Sequence, residues 1–407
     1  MKEFSKSHKL DYVCYDIRGP VMDAANEMEA KGEKILKLNI GNPAPFGFCA
    51  PKNVIDAISN SLEYDQGYSD SHGIFEARQA IIGYDNYLGI ENVSDKDIYT
   101  GNGVSELITM SMQGLLDNGD EVLVPAPDYP LWTASVALAG GKAVHYICDE
   151  KSDWNPDAND IAKKITSKTK AIVIINPNNP TGAVYEKSLL EKIVKLAHEN
   201  GLIIFSDEIY DRLIMDGIKH TSIASLAGKD VPCVTFSGLS KSHMAAGLRC
   251  GWMTISGNKD LIKGYIEGLN MLSSMRLCSN VPAQHMISEA LKPESFGKVN
   301  PLLEPNGRIY QQREYITNAL NQIDGISAVK PKAAFYIFPK IDAERFAIKD
   351  DEKFVLDFLH EKKILLVHGG GFHWEKPDHF RIVYLPDMSV LKASTEALSD
   401  FLKSYKQ

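Results

Sequence analysis

The sequence predicts an α/β protein built on a mainly parallel sheet, and three observations carry that prediction. Between residues 97 and 236, short apolar runs alternate with amphipathic segments of helix length, the signature of repeated βα units. Two of the runs, Ile172-Val173-Ile174-Ile175 and Leu202-Ile203-Ile204-Phe205, are continuous rather than alternating, as strands covered on both faces are. The chain has 407 residues, 44% hydrophobic and 24% charged, a globular composition too long for one core, so two lobes are expected.

In chain order, the apolar runs predict strands over 97–100, 121–124, 143–148, 171–175, 202–206 and 231–236. Apolar spacing predicts helices over 104–116, 131–138 and 187–199. After about Asn280 the texture changes. Helices are expected over 301–321, 351–361 and 390–404, with short strands over 334–338, 364–367 and 380–384, a mix that suggests a smaller α+β lobe. Near the start, Asn39-Ile40-Gly41-Asn42-Pro43-Ala44-Pro45 is rich in turn formers and reads as an irregular segment crossing near a site.

Composition excludes several functions. With 44 Lys+Arg against 53 Asp+Glu the net charge is −9, which argues against a general binder of nucleic-acid phosphates. No run approaches the roughly 18 to 20 apolar residues that span a bilayer. The opening Met1-Lys2-Glu3-Phe4-Ser5-Lys6 has no apolar core behind its charges and does not read as a secretory signal. Six cysteines lie scattered without a C-x-x-C pair, so a reducing cytoplasm is expected rather than a zinc or disulfide framework.

Four groups of residues could carry chemistry. Asn176-Pro177-Asn178-Asn179-Pro180-Thr181-Gly182 comes directly after an apolar run, which puts it at the C-terminal edge of a sheet, where ligands of open α/β sheets bind; a tight turn is the plainer reading. Asp207-Glu208-Ile209-Tyr210 stands just past another run, with Asp207 either functional or capping a helical turn. Lys241, in Ser237-Gly238-Leu239-Ser240-Lys241 with Arg249 eight residues on, is either a Schiff-base nucleophile or one more solvated charge. Arg381, inside the apolar Phe380-Arg381-Ile382-Val383, needs an anion, which a substrate or an internal carboxylate could supply.

Their order and combination resemble the aminotransferases of the aspartate-aminotransferase superfamily, the fold-type I enzymes dependent on pyridoxal 5′-phosphate. Gly41 with Pro43, Asn102-Gly103-Val104-Ser105, Pro127-Asp128-Tyr129-Pro130, Asn179-Pro180-Thr181-Gly182, Asp207 with Tyr210, Lys241 with Arg249, and Arg381 fall in the family's order over essentially the whole chain. The resemblance implies a mainly parallel seven-stranded sheet sandwiched by helices, plus a smaller α+β domain. Residues 1–45 would form an N-terminal arm and part of the small domain, 46–295 the large cofactor-binding domain, and 296–407 the small C-terminal domain.

Carried over residue by residue, the resemblance implies that Lys241 forms the Schiff base with the cofactor and moves the substrate Cα proton. Asp207 would hold the pyridinium protonated, Asn179 and Tyr210 would bond the phenolic oxygen, and Tyr129 would stack on the ring. The phosphate would sit at Gly103-Val104-Ser105 with Arg249. Three residues before Lys241, where the family carries a phosphate-binding serine, this chain has Gly238; Ser240 or Ser237 is left to substitute. Arg381 would clamp the α-carboxylate beside Gly41. Tyr68 matches a tyrosine that reaches the neighbouring subunit's phosphate, which implies a homodimer; a surface turn is the alternative.

Longer runs narrow the substrate. Val13-Cys14-Tyr15-Asp16-Ile17-Arg18-Gly19-Pro20, Leu38–Gly47 and Pro125–Thr133 resemble bacterial glutamate–pyruvate (alanine) aminotransferases of the alanine-synthesising type. That implies ping-pong exchange of L-alanine and 2-oxoglutarate for pyruvate and L-glutamate. One pocket must then accept both a methyl group and a distal carboxylate, and a fixed buried cation would stand unpaired with alanine. A mobile Arg18, with Tyr15 lining the pocket, is one solution; a local Arg18–Asp16 pair is the other reading. His368-Gly369-Gly370-Gly371-Phe372-His373 holds no acidic or thiolate ligand and reads as a loop closing over substrate rather than a metal site. The alternatives are a carbon–sulfur lyase, or an aminotransferase for valine or aromatic amino acids. Regulators that fuse this fold to a DNA-binding domain are disfavoured, since the motifs begin by residue 13.

Overall fold

A computed structural model of the chain describes residues 3–13 and 19–407. Its largest sheet is made of β1 (Ile98–Gly101), β2 (Glu121–Ala126), β3 (Lys142–Asp149), β4 (Asn155–Pro156), β5 (Thr169–Ile175), β6 (Ile203–Asp207), β7 (Cys233–Gly238) and β8 (Gly251–Ser256). The order across the sheet is β1-β8-β7-β6-β5-β2-β3-β4. Strands β2, β3, β5, β6 and β7 run parallel. β8 is antiparallel to both its neighbours, and β4 is a two-residue antiparallel edge beside the seven longer strands.

β8 is not among the strands expected from the apolar runs. Its Thr254 and Ser256 interrupt the apolar pattern, yet the strand is buried throughout. The tertiary structure supplies the missing partner, because the Thr254 hydroxyl donates to Asp85 at 2.8 Å and so enters the core with its polar group satisfied.

Helices Val104–Leu115, Leu131–Leu138 and Lys187–Asn200 agree with the periodicity. The expected helix over 301–321 is instead a 3₁₀ turn, Pro301–Leu303, and then a helix Arg308–Asn321. Pro305 and Gly307 explain the break, one lacking an N–H and the other helix propensity. The short strand expected over 364–367 divides into Ile364–Leu365 and Val367–His368, which pair with different partners.

Leu36–Lys37 pairs in parallel with Ile364–Leu365, and helix Pro20–Ala30 packs on helix Asp351–Lys362, so the early chain returns to the late one. Their shared core contains Val21, Ala25, Met28, Phe354, Phe358 and Phe401, and it extends to Tyr210 and Leu213 beyond the end of β6. Burying each such phenylalanine contributes about 2–3 kcal/mol before entropy is counted. A three-stranded sheet carries Tyr336–Ile337 and Val367–His368 on either side of Phe380–Val383, which places Tyr336, Arg381 and the 369–372 turn together.

Candidate active site

The parallel strands all end on one edge of the sheet, and turns leaving that edge bound a cavity of about 290 Å³. This is where an open α/β sheet leaves strand ends uncovered by crossover helices. Asp207 is the last residue of β6, Asn179 lies four residues past β5, Lys241 three past β7, and Tyr129 three past β2.

Lys241 sits in the one-turn helix Leu239–Ser242, and its Nζ donates to the Gly41 carbonyl at 2.7 Å. The irregular segment around Gly41 therefore does cross the site. A Cβ at Gly41 would collide with the Tyr336 hydroxyl, so only glycine lets the backbone come this near. Asp207 is buried and accepts from Trp132 Nε1 at 3.1 Å and from the Ile209 N–H at 3.3 Å. Burial pushes its carboxyl up to about 6, although both hydrogen bonds and Lys241 pull the other way.

Arg381 is 2% exposed on the strand Phe380–Val383. Its Nη1 donates to Asn179 Oδ1 at 3.0 Å and Nη2 to the Asn39 carbonyl. The guanidinium lies between two aromatic faces, 4.5 Å from the Tyr336 ring centre and 4.6 Å from that of Phe372. With its faces covered, the cation presents its edge, the geometry that binds a carboxylate in a fork.

At the other end of the cavity, helix Val104–Leu115 begins with Val104 and Ser105 on the wall, their backbone leaving Gly103 at φ +84°. Arg249 reaches the same point and donates to the Asn102 and Ala246 carbonyls at 3.1 and 2.9 Å. Its guanidinium occupies the space a Gly103 Cβ would need. A helix N-terminus with an arginine beside it is an anion site.

A sequence model of the aminotransferase class I and II family matches residues 33–397. The chain belongs to that family. It is 56% identical to the glutamate-pyruvate aminotransferase AlaA of Haemophilus influenzae, with both chains covered in full. It is 52% identical to an alanine aminotransferase of Mycobacterium tuberculosis strain H37Rv, over all of this chain and 94% of that one. Among solved structures, an aminotransferase from Escherichia coli superposes with a TM-score of 0.97 at 55% identity over both full chains. An alanine aminotransferase from Pyrococcus furiosus gives 0.90 at 39%, over 98% of this chain and all of that one.

This aminotransferase brings nearly all the residues singled out in its sequence to the cavity. Ser240 is on the wall, whereas Ser237, buried inside β7, is not among the lining residues. Tyr68 stands apart, 81% exposed on the surface. Tyr15 and Arg18 lie outside the described residues. Sequence reasoning passed over three contributors: Tyr336, which read only as part of a short strand; Trp132, which stood only inside the run Pro125–Thr133 but is bonded to Asp207; and Phe372, which covers one face of Arg381.

The 368–373 segment does meet an acidic residue, supplied from elsewhere in the chain. Asp128 Oδ1 lies 2.8 Å from His373 Nδ1, and the nitrogen and oxygen atoms of Asp128, His145 and His373 fall within 4.8 Å of one another. Thr133 Oγ1 stands between Asp128 and His145, at 2.7 and 2.9 Å, and the Asp128 N–H donates to the Phe372 carbonyl at 3.0 Å. The group thus bonds the turn carrying Tyr129 to the turn carrying Phe372.

Proposed function

We propose that this aminotransferase exchanges the amino group of L-alanine with 2-oxoglutarate, giving pyruvate and L-glutamate, by a ping-pong reaction on pyridoxal 5′-phosphate. The observation that carries the reading is the convergence of Lys241, Asp207 and Arg381 on one cavity, with a cationic helix N-terminus at its far end. The names of the Haemophilus and Mycobacterium relatives supply the substrate pair.

The residues present fit the cofactor. A buried carboxylate, Asp207, suits a protonated ring nitrogen, while Tyr210 and Asn179 suit a phenolic oxygen. Val104, Ser105, Ser240 and Arg249 suit a phosphate, and the space a Gly103 Cβ would take is given to Arg249. Tyr129 offers a ring to stack on. When bound, the cofactor supplies the electron sink for the pair left at Cα.

The chain's own side chains do the rest. Arg381 and Asn179 hold the α-carboxylate and turn the Cα–H bond toward Lys241. Lys241 Nζ accepts the Cα proton and delivers it on the same side of the site, a transfer that depends on its tether to the Gly41 carbonyl. Arg18 pairs with the distal carboxylate of glutamate and is not needed for alanine. Replacing Arg18 by alanine raises KM for glutamate far more than for alanine; equal effects on both would reject this role.

Two copies complete the assembly, with Tyr68 of each reaching the phosphate of the other. The pairing of Leu36–Lys37 with Ile364–Leu365 supports a small domain that combines 1–45 with 296–407 around a large domain of 46–295. A cytoplasmic setting suits the free thiols of Cys49, Cys148, Cys233, Cys250 and Cys278. No helix among the described residues is long and apolar enough to cross a membrane.

The visible spectrum of the purified holoenzyme tests the reaction. L-alanine bleaches the cofactor band and 2-oxoglutarate restores it. Pyruvate and ammonia released without any oxo acid would point to a lyase instead, and a response to valine but not alanine would move the substrate class.

A further inference from the structure

Tyr336 lies where three functional side chains meet, and neither the sequence motifs nor the transamination steps give it a task. It is 2% exposed on the strand Tyr336–Ile337. Its hydroxyl is 2.8 Å from the Tyr210 hydroxyl, with the two rings edge to face. Its ring lies under the Arg381 guanidinium. The missing Cβ of Gly41, whose carbonyl receives the Lys241 amine, leaves room for its hydroxyl.

We propose that Tyr336 is a positioning residue of the transamination site: its ring fixes the plane of Arg381, and its hydroxyl holds the Lys241 amine and the Tyr210 phenol in one hydrogen-bonded line. The proposal rests on the alanine aminotransferase reading of the site. A single side chain thereby sets both the fork that grips the substrate carboxylate and the base that takes the Cα proton.

Proton inventory gives the hydroxyl its role. Each phenol has one O–H to donate. When Tyr210 turns its O–H toward another oxygen in the cavity, its own oxygen needs a donor, and Tyr336 is the neighbour placed to supply one. Before that, the two phenols share one hydrogen bond in which either oxygen can be the donor, and the Lys241 amine, bonded to the adjoining Gly41 carbonyl, acts on the Tyr336 phenol as a positive charge. Burial raises the Tyr336 phenol, but the Lys241 and Arg381 charges and the Tyr210 hydrogen bond outweigh it, and the group titrates below the ordinary tyrosine range. Tyr210 is displaced well upward, by burial first and by the neighbouring Tyr336 next.

The two halves of the role separate by substitution. Tyr336→Phe keeps the ring and removes the hydroxyl: kcat falls about 10- to 100-fold, KM for L-alanine and 2-oxoglutarate stays within about twofold, and the isotope effect from α-deuterated alanine grows. Tyr336→Leu removes the ring as well, and KM for both substrates rises. In the apoprotein, the ultraviolet difference spectrum between wild type and Tyr336→Phe shows one tyrosinate forming below the ordinary range. A Tyr336→Phe enzyme with native kcat and isotope effect, or apoprotein titrations that superimpose, would overturn the proposal. Should that variant fail to fold, Tyr210→Phe reads the same contact from the other side: the Tyr336 titration must move up, and an unchanged one rejects the line. Wild-type enzyme that does not transaminate alanine would refute the function while leaving the apoprotein titrations to judge Tyr336.

Discussion

At Asp207 the proposed function, which needs a buried carboxylate, opposes stability. A carboxyl that titrates near 6 when folded and near 3.8 otherwise takes up a proton on folding between those values. Its contribution to stability is complete below pH 3.8 and is lost as pH rises through 6, about 3 kcal/mol in all. Asp85, raised by burial to about 7, titrates in an overlapping window, so the wild type alone cannot isolate Asp207. The difference between wild type and Asp207→Asn can. In urea melts of the apoprotein, the wild type gains on the variant as pH is lowered from 7.5 to 4.5, while Asp207→Asn abolishes transamination at every pH. A difference independent of pH would place the shifted carboxyl elsewhere. At this scale the sequence was most legible: Lys241, Asp207, Asn179 and Arg381 stand in or just past apolar runs, in a family order. Tyr336 gave no such signal, because a tyrosine inside an apolar strand reads as packing until Lys241, Gly41 and Tyr210 are brought to it.

At the scale of elements, the helix Val104–Leu115 presents its N-terminus to the cavity only because Gly103 takes a φ of +84° and leaves space for Arg249. Gly103→Ala imposes about 1–2 kcal/mol of backbone strain and displaces the guanidinium. The fold survives, and affinity for pyridoxal 5′-phosphate drops about tenfold or more, a loss of the size carried by one charge-assisted hydrogen bond. Equilibrium dialysis measures it, and undiminished affinity would remove this helix end from the phosphate site. Element boundaries were read with uneven success for physical reasons. Lys187–Asn200 ends at Gly201, which is left-handed, and the amphipathic stripe before it is continuous. β8 escaped because its buried Thr254 needs Asp85, 169 residues away, and the helix expected from 301 fails at Pro305 because a local stop outweighs the pattern around it.

For the molecule as a whole, Tyr68 is 81% exposed on one chain although the family resemblance implies a place at a phosphate, and shared active sites would resolve this. Sedimentation at twice 45.1 kDa is expected. Mixing is the sharper check: Lys241→Ala and Tyr68→Ala homodimers are both weak, and heterodimers formed by refolding them together regain activity at the one site that carries both native residues. No recovery would mean that each site is complete within its own chain. By itself the sequence determined the α/β class, the edge of the sheet on which chemistry occurs, and most residues that meet there. The class and the edge rest on apolar periodicity and on the residue types that stand just past each strand, whereas the residues that meet there were picked out by a resemblance to a family's motif order. Only the tertiary structure decided how Arg381 is oriented between Tyr336 and Phe372, how Asp128 bonds to His373, and which polar groups in the core find partners. Most of these join residues dozens to hundreds of positions apart, as Arg381 with Tyr336 and Asp128 with His373 do, and their geometry is set by packing, which no local pattern encodes.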